Sequence, residues 1–358
     1  MKMFKFFSRL IALTAWFLQF PGTVDAFEFG NVHFHGYLDM EYTKADRNWS
    51  GQHNYKNGSF DAHHFNLVLD APVNEKLLVA AMIGMEHGLD QSAIGFNNGR
   101  IVTEYAFGQY AFADYFKIRA GKMLTPYGFL NEIHDATPAL LTVEAPLTLY
   151  SAQKRGGEAI FPEWSTGAGV LGNFFLFEDM GLDYVFYIAN GENTGQTNEA
   201  EFDDNANKAL GGRVLFTPWD FLTLGFSVFY GDIAVKKNLD KTHASYGFSL
   251  AFEWDNFNLT GEFFDSKIRN IEQQASYVQA SYTFLGRITP HIKYEYLNVL
   301  EQEDYDWHDL GVGVNFKVMD GLFLKAEFHS HLRGRDNSEV YNNMRRYNEF
   351  VGQVAIAF

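Results

Sequence analysis

Ser245-Tyr246-Gly247-Phe248-Ser249-Leu250-Ala251-Phe252-Glu253-Trp254 is the stretch on which the reading of this chain turns. Tyr246, Phe248, Leu250, Phe252 and Trp254 take every second position, and Ser245, Gly247, Ser249 and Glu253 stand between them. A period of two belongs to an extended strand, whose successive side chains point to opposite faces. One face is therefore apolar and aromatic, and the other small or polar. The same ladder recurs in both directions along the chain. Val32, Phe34, Leu38 and Met40 alternate with His33, His35, Asp39 and Glu41, and Leu222, Leu224, Phe226 and Val228 with Thr223, Gly225 and Ser227. Further on, Ile292, Tyr294 and Tyr296 oppose His291, Lys293 and Glu295, and Leu322, Leu324, Ala326 and Phe328 oppose Lys325, Glu327 and His329. Only in 77–87 and 101–112 do Ala, Gly and Met blur the two faces.

Alternation alone suits a soluble sandwich as well as a membrane barrel, and the connections separate the two. Short links fall near Pro72–Lys76, Ala113–Tyr115, Glu178–Gly181, Thr217–Phe221, Trp254–Asn256, Leu285–Arg287 and Val318–Gly321. Between them lie long links near 44–59, 88–100, 125–165, 191–207, 231–242, 265–273, 298–307 and 332–346. Strict alternation of short and long is what up-and-down pairing across a membrane demands. The expected fold is all-β: a transmembrane antiparallel up-and-down β-barrel of about sixteen strands, with short periplasmic turns and long external loops.

The amino-terminal residues read as an export address. Lys2, Lys5 and Arg9 precede an apolar run from Leu10 to Phe20, which is too short for a spanning helix of about twenty residues. Pro21 and Gly22 break the run, and Val24-Asp25-Ala26 carries the small residues of a cleavage site, so residues 1–26 are expected to be a cleaved signal peptide. The chain from 27 to 358 is then the barrel. Its charge is strongly acidic, −16 for the whole sequence, which excludes nucleic acid as an expected partner. There is no cysteine, so no disulfide, thiolate site or c-type haem attachment is available. Aromatic residues make up 17% of the chain although no helix-length apolar segment follows Ala26, a mixture that a lipid-facing barrel accounts for.

Two features resemble known proteins. The final strand, Tyr347 to Phe358, sets Phe350, Val354, Ile356 and Phe358 on one face and resembles the carboxy-terminal signal of outer-membrane proteins. Phe116-Lys117-Ile118-Arg119-Ala120-Gly121-Lys122-Met123-Leu124-Thr125-Pro126-Tyr127-Gly128 is similar to the strand and loop of the phosphate-selective porin group, where a Gly-Lys pair precedes a Pro-aromatic-Gly turn. Tyr187–Gly191, Gly212–Pro218 and Tyr277–Tyr282 resemble that group too. The resemblance implies a sixteen-stranded porin of a Gram-negative outer membrane, trimeric, with one loop folded inward. Phosphate selectivity does not carry over, because the group's dense ladder of arginine and lysine is missing from this acidic chain.

The longest link, 125–165, is the expected constriction loop, since long loops in compact barrels usually carry function. Its Glu132, Asp135, Glu144, Lys154 and Arg155 are candidate constriction residues, set against Lys117, Arg119 and Lys122 on the preceding strand. Arg213, Lys293, Glu295 and Lys325 are candidate pore-lining residues on inward faces. Opposed charges across a narrow aperture orient polar solutes and set ion preference. The acidic links 192–204 and 301–306 are expected to be solvated rather than calcium-binding, lacking calcium-loop spacing. His33 with His35, His63 with His64, and His329 with His331 invite a metal reading, but spacing supplies no further ligand, so they are expected to be water-facing histidines.

No nucleophile elbow, zinc-protease motif or phosphate-cradling loop occurs, so no catalytic residue, metal or cofactor is expected. The expected function is passive diffusion of small hydrophilic solutes or ions through a polar, glycine-rich lumen, among outer-membrane lipid and lipopolysaccharide and as a homotrimer. Two other readings stay open: a sheath enclosing a partner, such as the cytochrome of an electron conduit, and a structural or adhesive barrel with a plugged lumen.

Overall fold

The computed structural model describes residues 27–29, 31–46, 55–86, 101–133, 136–152, 157–177, 180–191, 199–200, 207–233, 241–300, 306–333 and 346–358. The expected signal peptide lies outside them. Sixteen strands form the wall. The first eight are β1 Val32–Ala45, β2 Ser59–Pro72, β3 Leu77–Glu86, β4 Ile101–Ala113, β5 Phe116–Leu124, β6 Trp164–Phe177, β7 Met180–Ala189 and β8 Ala209–Trp219. The rest are β9 Leu222–Ile233, β10 Lys241–Trp254, β11 Phe257–Ile268, β12 Ile271–Tyr282, β13 Ile288–Val299, β14 Asp306–Met319, β15 Leu322–Arg333 and β16 Arg346–Ala357. Two short strands, Phe27–Phe29 and Glu199–Ala200, lie against β1 and β6.

Each of the sixteen pairs antiparallel with its sequence neighbours, and β16 returns to β1 in a register running from Glu349 opposite Ala45 to Ala357 opposite Tyr37. Phe358 completes the seam: its N–H donates to the Gly36 carbonyl at 2.9 Å, and its own carbonyl accepts from Gly36 N–H at 2.7 Å. Closure leaves no strand edge, the condition for placing a sheet in hydrocarbon, where water cannot satisfy free backbone groups. Among the described residues no helix is long and apolar enough to cross a membrane.

Period-two alternation becomes inside and outside. Phe226 and Phe248, cross-strand neighbours on β9 and β10, are exposed on the outer surface with ring centroids 5.2 Å apart, while Ser227 and Ser249 are buried within. Aromatic rings concentrate where the strands reach the short turns. Tyr110, Phe112 and Phe116 touch in series, as do Tyr115, Phe174 and Tyr184, and Trp219, Phe221 and Trp254. Such a girdle marks the height at which hydrocarbon gives way to headgroups.

Six of the seven short links stand where the sequence puts them, and Glu178 and Asp179 of the seventh lie outside the described residues. One expected long link does not form. Across 265–273 the ladder continues to Ile268 and resumes at Ile271, so Arg269 and Asn270 alone make the turn, with Arg269 in the left-handed region at φ 58°. Polar residues on both strands suggested a loop, but Lys267 and Glu272 pair across the ladder and carry it further out.

A charge on the outer surface at mid-height should be expensive. Phe248→Arg is expected to lower the unfolding free energy of the barrel refolded in lipid vesicles by about 2–4 kcal/mol in a urea titration, while Phe248→Leu changes it little. Equal stability of the two variants would show that this position does not face hydrocarbon.

Candidate functional site

Between β5 and β6 the chain leaves the wall and enters the barrel. The neck of this segment is tied at both ends: Thr125 N–H donates to the Glu163 carbonyl at 2.9 Å, the Thr125 and Ser165 hydroxyls meet at 2.7 Å, and Asn131 Nδ2 donates to the carbonyls of Thr125 and Glu163. Pro126-Tyr127-Gly128 then turns the chain inward. Gly128 has φ +60°, its N–H donates to Ser227 Oγ at 3.0 Å, and its carbonyl accepts from Arg213 Nη1 at 2.7 Å. A Cβ here would lie 2.4 Å from the Tyr150 hydroxyl and 2.7 Å from Phe264 Cζ, so only glycine fits the turn.

Beyond the turn, inward-facing side chains of the wall bind the segment's backbone at successive points. Asp39 on β1 accepts from Thr137 Oγ1 at 2.6 Å, and Lys325 on β15 donates to the carbonyls of Thr137 and Thr142. Asn315 on β14 donates to the Leu141 carbonyl at 3.1 Å, and Glu327 on β15 accepts from Val143 N–H at 2.6 Å. The short helix α1, Leu147–Tyr150, docks on Glu295 of β13, which accepts from both the N–H and the hydroxyl of Thr148. Glu262 on β11 accepts from Phe129 N–H at 2.8 Å, Tyr150 OH at 2.5 Å and Ser249 Oγ at 2.5 Å. Burial and the neighbouring Glu262 carboxylate hold the Tyr150 phenol well above its usual pKa, so it remains a donor. Gln273 on β12 exchanges two bonds with Glu158, and His243 on β10 meets the Ile160 carbonyl at 2.9 Å.

An aromatic clasp closes the path. Tyr127 stacks on Phe161 with centroids 4.2 Å apart and meets Phe264 edge-on at 5.0 Å, and Tyr150 packs edge-on against both Phe161 and Phe264. The segment thus lines the inside of the wall from β14–β16 and β1 round to β10 and returns at β6. What it leaves partly uncovered is the wall from β2 to β8, where Ile133, Ala136 and Ala139 pack near Val68, Ala80, Met82 and Tyr105.

A cavity of about 400 Å³ occupies that side. Lys117 and Arg119 of β5, Asp183 of β7 and Arg213 of β8 border it, with Asp70 and Glu132. Glu132 is the segment's contribution: its carboxylate meets Arg213 Nη2 at 2.5 Å and Arg119 Nη1 at 3.8 Å. Arg119 is fixed further by Gln109 Oε1, which accepts from its Nε and Nη2, and by the Phe107 ring 4.3 Å beneath it. The rest of the lining departs from a polar, glycine-rich lumen. Leu78, Tyr105, Phe107, Leu171, Val185 and Leu215 all face this space. Leu78, Tyr105 and Phe107 belong to the strands where the alternation is blurred, because there both faces are apolar: one meets lipid and the other a half-greasy cavity.

The candidate residues therefore part into groups. Lys117, Arg119, Glu132 and Arg213 come together at the cavity. Lys122 does not border it, and its ammonium lies 5.5 Å from the centroid of the Trp164 ring. Lys293, Glu295 and Lys325 are buried beneath the segment, at 2–3% exposure, where Lys293 pairs with Glu295 at 2.8 Å. Glu144 meets the acidic side of the wall, its carboxylate grouped with Glu41 and His63. Asp135, Lys154 and Arg155 lie outside the described residues. Sequence reasoning missed His243, Gln273 and Asn315 as contacts of the segment, and the anchoring role of Asp39, Glu262 and Glu327. Their inward parity could be read, but not the backbone groups they bind.

No protein-family model matches the chain. An uncharacterized protein of Aquifex aeolicus is 29% identical over 176 residues, which span 44% of this chain and 36% of that relative. Among solved structures, the anion-selective porin from Comamonas acidovorans superposes with a TM-score of 0.64 at 10% identity, covering 91% of this chain and 99% of that one. Salmonella typhi OmpF in complex with daunomycin gives 0.63 at 11% identity over 91% and 97%. The outer-membrane channel DcaP of Acinetobacter baumannii gives 0.61 at 13% identity over 91% and 97%. The fold is thus that of the sixteen-stranded outer-membrane porins.

Glu262 holds the segment at two places. Glu262→Ala would orphan the buried Phe129 N–H and Tyr150 hydroxyl, at an order-of-magnitude cost of 1–3 kcal/mol each. The folded variant is expected to be cut within 125–163 by trypsin or chymotrypsin at least tenfold faster than the parent, with the sixteen strands intact by far-ultraviolet circular dichroism. An unchanged cleavage rate would show that the segment is held elsewhere.

Proposed function

We propose that this protein is a passive diffusion channel of the Gram-negative outer membrane, for small hydrophilic solutes or ions, with residues 125–163 as its constriction. The observation that supports this most directly is the asymmetry of the lumen: one wall is covered by an anchored segment, and the other borders a cavity where Lys117, Arg119 and Arg213 stand among Asp70, Asp114, Glu132 and Asp183. The covered wall also carries charge, with Asp39, Glu41, Glu295 and Glu327 beside Lys293 and Lys325 on β1, β13 and β15. Opposed charges set across an aperture act strongly on a passing ion where the segment and wall exclude bulk water.

Glu132 stands at the rim as the segment's counter-charge to Arg119 and Arg213. Neutralising it frees two guanidinium groups and favours anions, and neutralising the arginines does the reverse. The apolar lining beside them suits solutes that carry both charge and carbon skeleton. A sheath around a partner fits less well, because the anchored segment occupies the space that a threaded chain would need. Outer-membrane lipid with lipopolysaccharide would surround the aromatic girdle, and three copies form the assembly that the resemblance implies.

Single-channel recording in planar bilayers under a salt gradient tests the reading. Discrete open steps are expected, with the reversal potential moving toward cation preference in Arg119→Gln and Arg213→Gln and toward anion preference in Glu132→Gln. Excision of residues 136–152 should raise the conductance severalfold. Folded protein that gives no steps, before or after excision, would overturn the channel reading.

A further inference from the structure

On the long-loop side of the anchored segment, β14, β15 and β16 bring together a group of side chains that solute passage does not use. Asp309 of β14 faces His331 of β15 directly across the ladder, and His329 lies two residues along on the same face. The three are buried, and one nitrogen of each histidine lies with an Asp309 oxygen inside a sphere that a single ion could occupy, all within 4.8 Å of one another. His329 Nδ1 is 2.9 Å from Asp309 Oδ2, and His331 Nδ1 is 3.5 Å from Asp309 Oδ1. The second separation is too long for a hydrogen bond, and Asp309 Oδ1, in a residue 4% exposed, accepts none. It matches the edge of a tetrahedron of ligands, about 3.3 Å for metal bonds of about 2.0–2.1 Å.

The far side of each imidazole is held by a carboxylate. Glu327 Oε2 is 2.8 Å from His329 Nε2, and Glu349 Oε2 is 3.3 Å from His331 Nε2. A carboxylate behind the outer ring nitrogen fixes each ring with its inner nitrogen toward Asp309, the usual outer shell of a metal-binding histidine, and an ion would displace the proton now shared between His329 Nδ1 and Asp309 Oδ2. Space has been made for the rings. A Cβ on Gly311, opposite His329, would lie 2.9 Å from its Cε1 and 3.0 Å from its Nδ1. Tyr347 stacks on His331 with centroids 4.3 Å apart, and Trp307 packs beside it, closing the group from above. Glu295, Glu327 and Glu349 add carboxylate charge around Asp309, whereas the nearby lysine, Lys293, is engaged with Glu295.

We infer that Asp309, His329 and His331 form a binding site for one divalent transition-metal ion of the zinc class, clipping β14 to β15 with two nitrogens and a carboxylate. Two nitrogens with one oxygen favour zinc, nickel or copper over calcium or magnesium, which take all-oxygen shells. The two other histidine–acid groups among the described residues, which share His63, differ: Glu41, His63 and Glu144 offer one nitrogen only. Asp39 accepts from His64 N–H at 3.2 Å, His64 Nδ1 at 2.9 Å and Thr137 Oγ1 at 2.6 Å, so its oxygens are spent on the segment.

The full-length barrel, stripped with EDTA in detergent, is titrated with zinc by calorimetry and with cobalt by visible absorption. One zinc per chain with submicromolar affinity is expected, with cobalt d–d bands of a four- or five-coordinate site. His331→Asn and Asp309→Asn should each weaken zinc at least 100-fold, whereas His63→Asn leaves it unchanged; heat-dependent electrophoretic migration checks that each variant is folded. Should both site variants fail to fold, the parent's cobalt spectrum decides: a four- or five-coordinate site gives intense d–d bands, and only the weak bands of hydrated, six-coordinate cobalt would overturn the site. Zinc uptake below one per chain at 50 μM probe, or uptake that survives His331→Asn but not His63→Asn, overturns it too.

Discussion

Everything in this structure depends on the obligation to satisfy backbone hydrogen bonds without water. A strand that faces hydrocarbon cannot leave an N–H or a carbonyl unpaired, and a sheet escapes that cost only by meeting itself. Here β16 meets β1, and the Phe358–Gly36 pair finishes the seam. Once the sheet is closed, alternation has one meaning. Every second side chain belongs to lipid, and the rest belong to a lumen wide enough to need filling or to carry water.

The lumen applies the same accounting in reverse. Residues 125–163 bring many backbone groups into a space with little solvent, and the inward side chains of the wall satisfy them one by one. Glu262, Glu295 and Glu327 accept from N–H and hydroxyl groups, and Lys325 and Asn315 donate to carbonyls. Buried ionised groups are tolerable when hydrogen-bonded in this way and costly when not. Polar residues that look like pore lining in the sequence are thus largely a cradle for the segment, and the aromatic clasp of Tyr127, Tyr150, Phe161 and Phe264 supplies the apolar burial that sets it in place.

Asymmetry follows from where the cradle stops. From β2 to β8 the wall carries Val68, Ala80, Leu171, Val185 and Leu215, and the segment is held there chiefly by Arg213, through Glu132 and the Gly128 carbonyl, and by apolar packing at Ala136. Space therefore persists on that side, bordered by Lys117, Arg119 and Arg213 together with Asp70, Asp114, Glu132 and Asp183. The covered wall carries acidic side chains too, with Lys293 and Lys325 among them. Field, aperture and anchoring are consequences of one distribution of inward residues.

The sequence by itself determined the strand period, the strand number, the short turns and the orientation of each face, because these depend on local alternation and on link length. It also marked 125–165 as the link to watch and brought Lys117, Arg119, Glu132 and Arg213 into view by residue type. Only the tertiary structure decided which of them share a cavity, since Arg213 and Glu132 are 81 positions apart and meet through the turn at Gly128. It moved Lys293, Glu295 and Lys325 from water to burial, and it joined Asp309 to His329 and His331. The physical reason is that period and turn chemistry are properties of neighbouring residues. The partner of an inward side chain is fixed by barrel closure and by the path of a segment whose anchors are spread over β1 and β8 to β15.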